Sequence, residues 1–347
     1  MSYATTYLVE AIQPWIETLF PHTPGPLTVT PLAVDASTRR YYRMSWPQPM
    51  AGHPASCILM VCEPWQEGEI PDFLAVAHHL RSSGIRVPHV YGTLPAEGWM
   101  CLEDFGDRTL AAAWQEASVS GRLLWGQRAL QTLIRIHTTA TQYHDPACPA
   151  FRLAFDVPKL LSELQFFRQH AIAGLWRHTL TDSEQDAFDA ACQPLCTLLA
   201  SQPRYFCHRD YHSWNLMAQE EKLGVLDFQD ARMGPQAYDV VSLLVDRGTP
   251  DVLGAEVSTA LVTYYVQSFQ AETGQPLPRQ DFTVLFELVA VQRCLKAIGT
   301  FAAMHVMQQR SQYLGYIPPT LAYVQPLLRR YEILRPLELL LHRYTPL

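Results

Sequence analysis

Apolar residues recur at helical spacing from the start of the chain. Tyr7, Leu8, Ile12, Trp15, Ile16 and Leu19 mark one face of a helix over 3–20. The run Pro21-His22-Thr23-Pro24-Gly25-Pro26 ends it, because proline has no N–H to donate to a helix. The pattern then shifts to period two. Residues 27–34 alternate as a strand, Asp35-Ala36-Ser37-Thr38 carries turn chemistry, and 41–46 reads as a second strand. The continuous apolar run 57–62 predicts a buried strand. A helix over 71–83, closed by Gly84, leads to a strand near Val87-Pro88 and another at 99–102. From Thr109 the period is helical, with helices expected over 122–140, 158–170, 183–200, 251–273, 281–309 and 319–341; Pro276 and Pro278 separate the fourth from the fifth. The fold class is therefore α+β. A small, mostly antiparallel β lobe with a leading helix is expected over 1–103, and a larger, mainly helical lobe over 104–347. A short hinge near Glu103-Asp104-Phe105-Gly106 joins them.

Between the helical stretches lies the densest chemistry. His208-Arg209-Asp210 is followed by Asn215, giving H-R-D-x-x-x-x-N, and then by Asp227-Phe228 after the apolar strand 223–226. This spacing matches the catalytic-loop and metal-loop pair of protein-kinase-like phosphotransferases. Phosphoryl transfer needs a carboxylate to accept the proton of the attacking hydroxyl, and oxygen ligands to hold Mg²⁺ against nucleotide phosphates. Asp210 is the candidate base, and Asn215 and Asp227 the candidate metal ligands. Asp230 reads equally as a water-mediated metal contact or a cap. His208 reads as a core histidine supporting the loop. A metal role for His208 with His212 lacks a third ligand.

The small lobe departs from protein kinases. No lysine precedes Lys159, and the helix over 71–83 contains no glutamate, so both partners of the usual lysine–glutamate pair are missing. Arg39, Arg40 and Arg43 are the alternative phosphate clamp, since guanidinium forks suit phosphate oxygens. Ser37 and Thr38 offer N–H and hydroxyl donors where a glycine-rich loop would otherwise lie. A solvated basic hairpin is the simpler alternative. In the large lobe, His212, Glu163, Arg293 and Lys296 are candidate acceptor-binding residues. Arg293 and Lys296 share one face of an apolar helix, where two cations need an anion. An acceptor carboxylate is one candidate; Glu163, Asp246 or another large-lobe acid is the other.

Composition narrows the classes. The 347 residues are 48% hydrophobic and only 17% charged, enough for a large core, and the net charge of −7 argues against a nucleic-acid partner. Eight cysteines scattered through apolar segments predict reduced thiols in a cytoplasmic protein. No signal-peptide pattern opens the chain, and no run of about 18 apolar residues suggests a membrane span.

The stretches A-S-T-R-R-Y-Y-R at 36–43, L-E-D-F-G-D at 102–107, H-R-D-Y-H-S-W-N-L-M at 208–217, L-D-F-Q-D-A-R-M-G-P-Q-A-Y-D-V-V-S-L-L at 226–244 and Q-R-C-L-K-A-I-G-T-F-A at 292–302 resemble the aminoglycoside-phosphotransferase and choline-kinase superfamily. Within it they are most similar to the bacterial N-acetylmuramate/N-acetylglucosamine anomeric kinases of cell-wall recycling. The resemblance implies a two-lobe kinase using ATP and Mg²⁺ on a small sugar. Adenine would be held by backbone groups of Glu103 and Phe105, and Asp239 would brace the catalytic loop. Two positions depart from the family pattern: Val61, where an aspartate is usual, and Trp214, where an arginine is usual. Rival readings are a kinase of another small acceptor (an aminoglycoside, a choline-like amino alcohol or homoserine) and a pseudokinase scaffold, for which the missing lysine–glutamate pair argues.

Overall fold

Helix α1 (Tyr3–Leu19) lies on a five-stranded antiparallel sheet of β1 (Thr28–Pro31), β2 (Arg40–Ser45), β3 (Ser56–Val61), β4 (Val90–Leu94) and β5 (Trp99–Glu103), in the order β1-β2-β3-β5-β4. The computed structural model describes residues 3–21, 26–32, 39–47 and 53–345. Strand register explains the face that α1 covers. Val29 pairs with Met44, Met44 with Cys57, Leu59 with Cys101 and Val61 with Trp99, so alternate residues project to one side. Ile12 and Ile16 of α1 bury there with Val29, Met44, Cys57, Leu59 and Cys101. Gly92 on β4 is required by this packing, because a Cβ there would sit 2.5 Å from Leu19 Cδ2.

Arg43 projects to the opposite face, in register with Ile58, which itself pairs with Leu102. Its Nε and Nη2 donate to Asp104 at 2.6 and 3.0 Å, and its Nη1 to Asp107 at 2.8 Å. Ser56 Oγ and the Gly106 N–H also donate to Asp104, at 2.7 and 2.8 Å. These bonds fasten the segment after β5 to the sheet. Accordingly the first compact unit comprises Met1–Leu74 and Val87–Asp107, and the second comprises Ala75–Arg86 and Arg108–Leu347. Residues 104–107, expected to open the large lobe, thus group with the sheet. Helix α2 (Asp72–Ser82) begins in the first unit and continues into the second.

The second unit is mainly helical. It contains α3 (Leu110–Glu116), α4 (Val119–Arg135) with a π-helical turn at Ile136–Ala140, α5 (Val157–Phe167) with a π-helical continuation at Arg168–Leu175, and α6 (Asp182–Ala200). Four short strands follow: β6 (Arg204–Cys207), β7 (Leu216–Gln219), β8 (Lys222–Val225) and β9 (Arg232–Pro235). Then come α7 (Ala237–Val245), α8 (Thr249–Thr273), α9 (Arg279–Gln308), α10 (Ile317–Arg330) and α11 (Arg335–Tyr344). Among the described residues, no helix is long and apolar enough to cross a membrane.

Two differences from the sequence expectation have physical causes. The helix expected over 319–341 is broken at Tyr331, which is extended at φ −112° and ψ 124°. Pro336 in the first turn of α11 cannot donate back into a continuous helix, and Arg330 and Tyr331 both bond to Glu287 of α9 at 2.5 Å. Helix α7 was not anticipated at all. All nine of its residues are buried, and nine residues are too short a stretch for a helical period to declare itself.

Helix α9 carries Arg293 and Lys296, and its height over α5 is set by Gly299. A Cβ at Gly299 would lie 2.7 Å from Phe167 Cα and 2.9 Å from Phe167 N. Gly299→Ala should therefore lower unfolding free energy by about 1–3 kcal/mol in urea titrations, since backbone must move. Gly315→Ala adds its methyl to open space, and its effect should stay within about 0.5 kcal/mol. Equal effects at the two sites would contradict the close approach.

Candidate active site

Two loops carry the motif residues, and strand pairing places them side by side. Cys207 at the end of β6 pairs with Arg232 at the start of β9, and Leu216 at the start of β7 pairs with Val225 at the end of β8. Residues 208–215 and 226–231 thus bridge the same two ladders. The Leu226 N–H donates to Asn215 O at 2.9 Å, and His208 Nε2 lies 2.8 Å from Leu226 O. His208 is 1% exposed and stitches one loop to the other, as a core histidine should.

Beneath them sits Asp239, in the first turn of α7 and fully buried. Its Oδ2 accepts the His208 N–H at 2.6 Å and its Oδ1 accepts the Arg209 N–H at 2.9 Å. Arg209 has φ 82° and Asp227 φ 61°, left-handed conformations that cost a non-glycine residue on the order of 1 kcal/mol or more. The grip of Asp239 offsets that cost at Arg209. His137, in the π-helical turn after α4, places Nε2 3.7 Å from Asp239 Oδ2, with Nδ1 2.8 Å from Tyr265 Oη. His137, Cys207 and Asp239 have ligand atoms within 4.8 Å of one another. They do not suit a metal: both Asp239 oxygens are taken by backbone amides, and burial pushes the Cys207 thiol far above its ordinary value.

Asp210 is surrounded by cations. Lys296 Nζ lies 3.2 Å and Arg293 Nη1 3.7 Å from its Oδ1, and Arg209 Nε lies 3.9 Å from its Oδ2. Burial alone would raise its pKa. Lys296, Arg293 and Arg209 outweigh that and hold the carboxyl well below the usual range, so it is ionised at neutral pH.

This arrangement corrects several expectations. Arg293 and Lys296 do share a face, and of the two candidate anions it is large-lobe acids that they meet: both lie against Asp210, and Arg293 Nη2 also lies 3.8 Å from Asp246 Oδ2. Arg293 is 5% exposed and also donates to Arg209 O at 3.0 Å and Ser242 Oγ at 2.5 Å. Glu163 is likewise buried, 3.3 Å from Lys159 Nζ and 3.7 Å from Arg209 Nη2, and accepts from Gln292 Nε2 at 3.1 Å. It counterbalances the cations instead of presenting itself to an acceptor. His212 is 7% exposed, with Nε2 3.4 Å from Asn215 Nδ2 and 3.9 Å from Asp246 Oδ2. Burial pushes its pKa down to about 4, against the pull of Asp246, so it is a neutral prop for Asn215. Asp230 pairs with Arg209 Nη1 at 3.2 Å. Arg209 itself went unassigned in the sequence reading, although it stands between two assigned motif residues.

Asn215 and Asp227 meet across the loops. Asn215 Nδ2 donates to Asp210 O at 3.0 Å and lies 3.4 Å from Asp227 Oδ2. The amide turns its Nδ2 toward Asp227, whose Oδ1 accepts from Gln229 Nε2 at 2.8 Å; the two side chains carry the oxygen donors that a hard divalent cation prefers, with the Asn215 amide turned over.

In the first unit, Ser37 and Thr38 lie outside the described residues. Arg40 is exposed at the start of β2. Arg39 lines a pocket of about 690 Å³ with Met60, Cys62, Glu63, Phe73 and Met100. Arg43, expected among the phosphate clamps, is instead committed to Asp104, which is 5% exposed and needs a cation. The Glu103 N–H donates to His89 O at 2.7 Å, so this amide is already occupied, and Phe105 is buried.

A family model described as "Phosphotransferase enzyme family" matches residues 28–279. The N-acetylmuramate/N-acetylglucosamine kinase of Neisseria meningitidis serogroup B is 30% identical over 334 residues, covering 94% of this chain and 93% of that one. The enzyme of the same name from Pseudomonas aeruginosa is 34% identical over 313 residues, covering 88% and 85%. Among solved structures, an ethanolamine kinase of Plasmodium vivax superposes with TM-score 0.63 at 11% identity, covering 95% of this chain and 92% of that one. A choline/ethanolamine kinase family protein of Mesorhizobium loti gives 0.58 at 15%, covering 96% and 99%. The structural neighbours share the protein-kinase-like fold of antiparallel sheet and helical unit. The family match spans both units, and the chain belongs to the phosphotransferase enzyme family.

Proposed function

We propose that this chain is a cytoplasmic, ATP- and Mg²⁺-dependent kinase that phosphorylates the anomeric hydroxyl of N-acetylmuramate or N-acetylglucosamine to the sugar 1-phosphate. One observation carries the reading. An ionised Asp210 stands beside the Asn215–Asp227 pair in a chain whose curated relatives bear this activity in their names along most of its length. The intact set argues against a pseudokinase.

The residues act as follows. The acceptor hydroxyl donates a hydrogen bond to Asp210. A carboxylate held far below its ordinary pKa is a weak base, so Asp210 orients the hydroxyl and takes its proton late, as the bond to phosphorus forms. Lys296 and Arg293 keep the carboxylate in one orientation. Asn215 and Asp227 would hold Mg²⁺, which when bound neutralises charge on the nucleotide phosphates. Arg39, at the pocket with Met60 and Met100, is the arginine we assign to those phosphates, and Arg43 serves the sheet.

The direct test is ³¹P NMR of the product formed from ATP and each amino sugar. Phosphate on C1 is expected; phosphate on C6, or no transfer to either sugar, would remove the sugar 1-kinase reading. Asp210→Asn should cut turnover by about 10²–10⁴-fold, the usual reach of a general base, and an unchanged rate would dismiss the assignment.

Lys296→Ala should lower turnover of both sugars alike, by about ten- to a hundredfold, because it removes a charge-assisted contact to Asp210. Damage confined to N-acetylmuramate would return Lys296 to the lactyl carboxylate.

Arg39→Ala should raise the KM for ATP with little change in melting temperature. Arg43→Ala should cost about 1.5–3 kcal/mol of stability, because it strips charged hydrogen bonds from buried Asp104. Calorimetry alongside steady-state kinetics separates the two, and a reversed pattern would exchange their roles.

A further inference from the structure

Trp214 is the one residue of the 208–215 loop that the fold leaves out. Its neighbours His212 and Ser213 are 7% and 2% exposed, whereas Trp214 is 44% exposed. None of the other seven tryptophans is exposed to that degree; each is buried or half-buried. Among the described residues its indole has no hydrogen-bond, ring or cation partner. Isolated exposed apolar residues are common on surfaces and need no explanation. This one differs because its loop is held on either side of it. Tyr211 Oη donates to Ala129 O at 2.9 Å, the Ala111 N–H donates to Ser213 O at 3.1 Å, and the Asn215 N–H donates to His212 O at 2.9 Å. The indole is therefore presented by an ordered backbone, next to Asn215, whose side chain reaches Asp210 O at 3.0 Å.

Of the polar groups expected to receive the acceptor, Glu163, His212 and Arg293 are buried, and Lys296 is drawn to Asp210 at 3.2 Å. An exposed side chain on the same loop as Asp210 is then a candidate to hold the acceptor. A hexopyranose of the gluco series has equatorial hydroxyls and axial C–H bonds, so its faces are apolar. Such a face matches a flat, rigid indole, which offers a large apolar area at little cost in conformational entropy.

We propose that Trp214 is the platform on which the apolar face of the acceptor sugar stacks, making it a specificity-determining residue of the acceptor site. The proposal rests on the sugar-kinase reading and deepens it. A platform of this kind selects pyranose acceptors over flexible amino alcohols. It also serves N-acetylglucosamine and N-acetylmuramate alike, because it reads a ring face common to both.

The test uses the full chain with ATP, Mg²⁺ and N-acetylglucosamine. Trp214→Ala should raise the sugar KM by about tenfold or more, the equivalent of about 1.4 kcal/mol, and leave the ATP KM and the melting temperature near wild type. Trp214→Phe, which keeps an aromatic face, should recover most of the loss. An unchanged sugar KM in Trp214→Ala overturns the platform while the sugar-kinase reading stands. A rise in the ATP KM in place of the sugar KM assigns the indole to the nucleotide and likewise overturns it. A fall in melting temperature that Trp214→Phe restores without restoring sugar affinity would give the residue a packing role and end the proposal. Wild-type protein that phosphorylates no amino sugar removes both readings together.

Discussion

The bonds that Asp239 makes to two successive backbone amides are the constraint on which the site depends. Left to itself, Arg209 would avoid the left-handed backbone that it adopts, and without that turn the Asp210 carboxylate would point elsewhere. A fully buried carboxylate accepting two N–H bonds resists displacement, because moving it would strand a charge in a dry interior. Helix α7 exists to place that group. It is buried on all sides, and the β6–β9 pair ends where its grip begins. The same carboxylate connects to α4 through His137 and thence to Tyr265 of α8, so elements far apart in sequence converge on the one turn.

Charge around Asp210 follows a comparable logic. Arg209, Arg293 and Lys296 are opposed by Asp210, Glu163, Asp230 and Asp246, so no buried ion in the group lacks a counter-ion. An interior network of this sort adds little net stability, since desolvation offsets attraction. What it supplies is preorganisation: a carboxylate already ionised and oriented before any acceptor arrives. It also changes what the acceptor has to provide. Cations that have their anion within the protein do not call for an acidic substrate.

The first unit solves a different problem. Protein kinases anchor nucleotide phosphates with a lysine on a strand and a glutamate on a helix, and this chain has neither. Of the arginines on its second strand and the turn before it, Arg43 is consumed in fastening residues 104–107 to the sheet, and Arg39 stands at a pocket with Met60 and Met100. Two side chains four residues apart, of the same type and with the same alternation, thus have different surroundings, Arg43 meeting Asp104 and Arg39 lining the pocket.

Much of this protein was legible in its sequence. Period-two alternation located β1 and β2, a continuous apolar run located β3, helical periodicity located α4, α5, α6, α8 and α9 to within a few residues, and the spacing of Asp210, Asn215 and Asp227 located both loops. Those features depend on near neighbours along the chain, where a short pattern is enough to declare a buried face or a turn. What the sequence could not declare was the company that charged side chains keep. Helical spacing showed that Arg293 and Lys296 share a face, yet gave no sign that the face meets Asp210, and the same patterns offered Glu163 and His212 to an acceptor when both are enclosed. Helix α7 stayed hidden because nine residues are too few for a helical period to declare itself. The energy of a buried charge is decided by whichever opposite charge folding brings within a few ångströms, and that partner can lie anywhere in the chain. Sequence alone thus determined the chemistry available to this protein; only the tertiary structure decided which groups remain free to perform it.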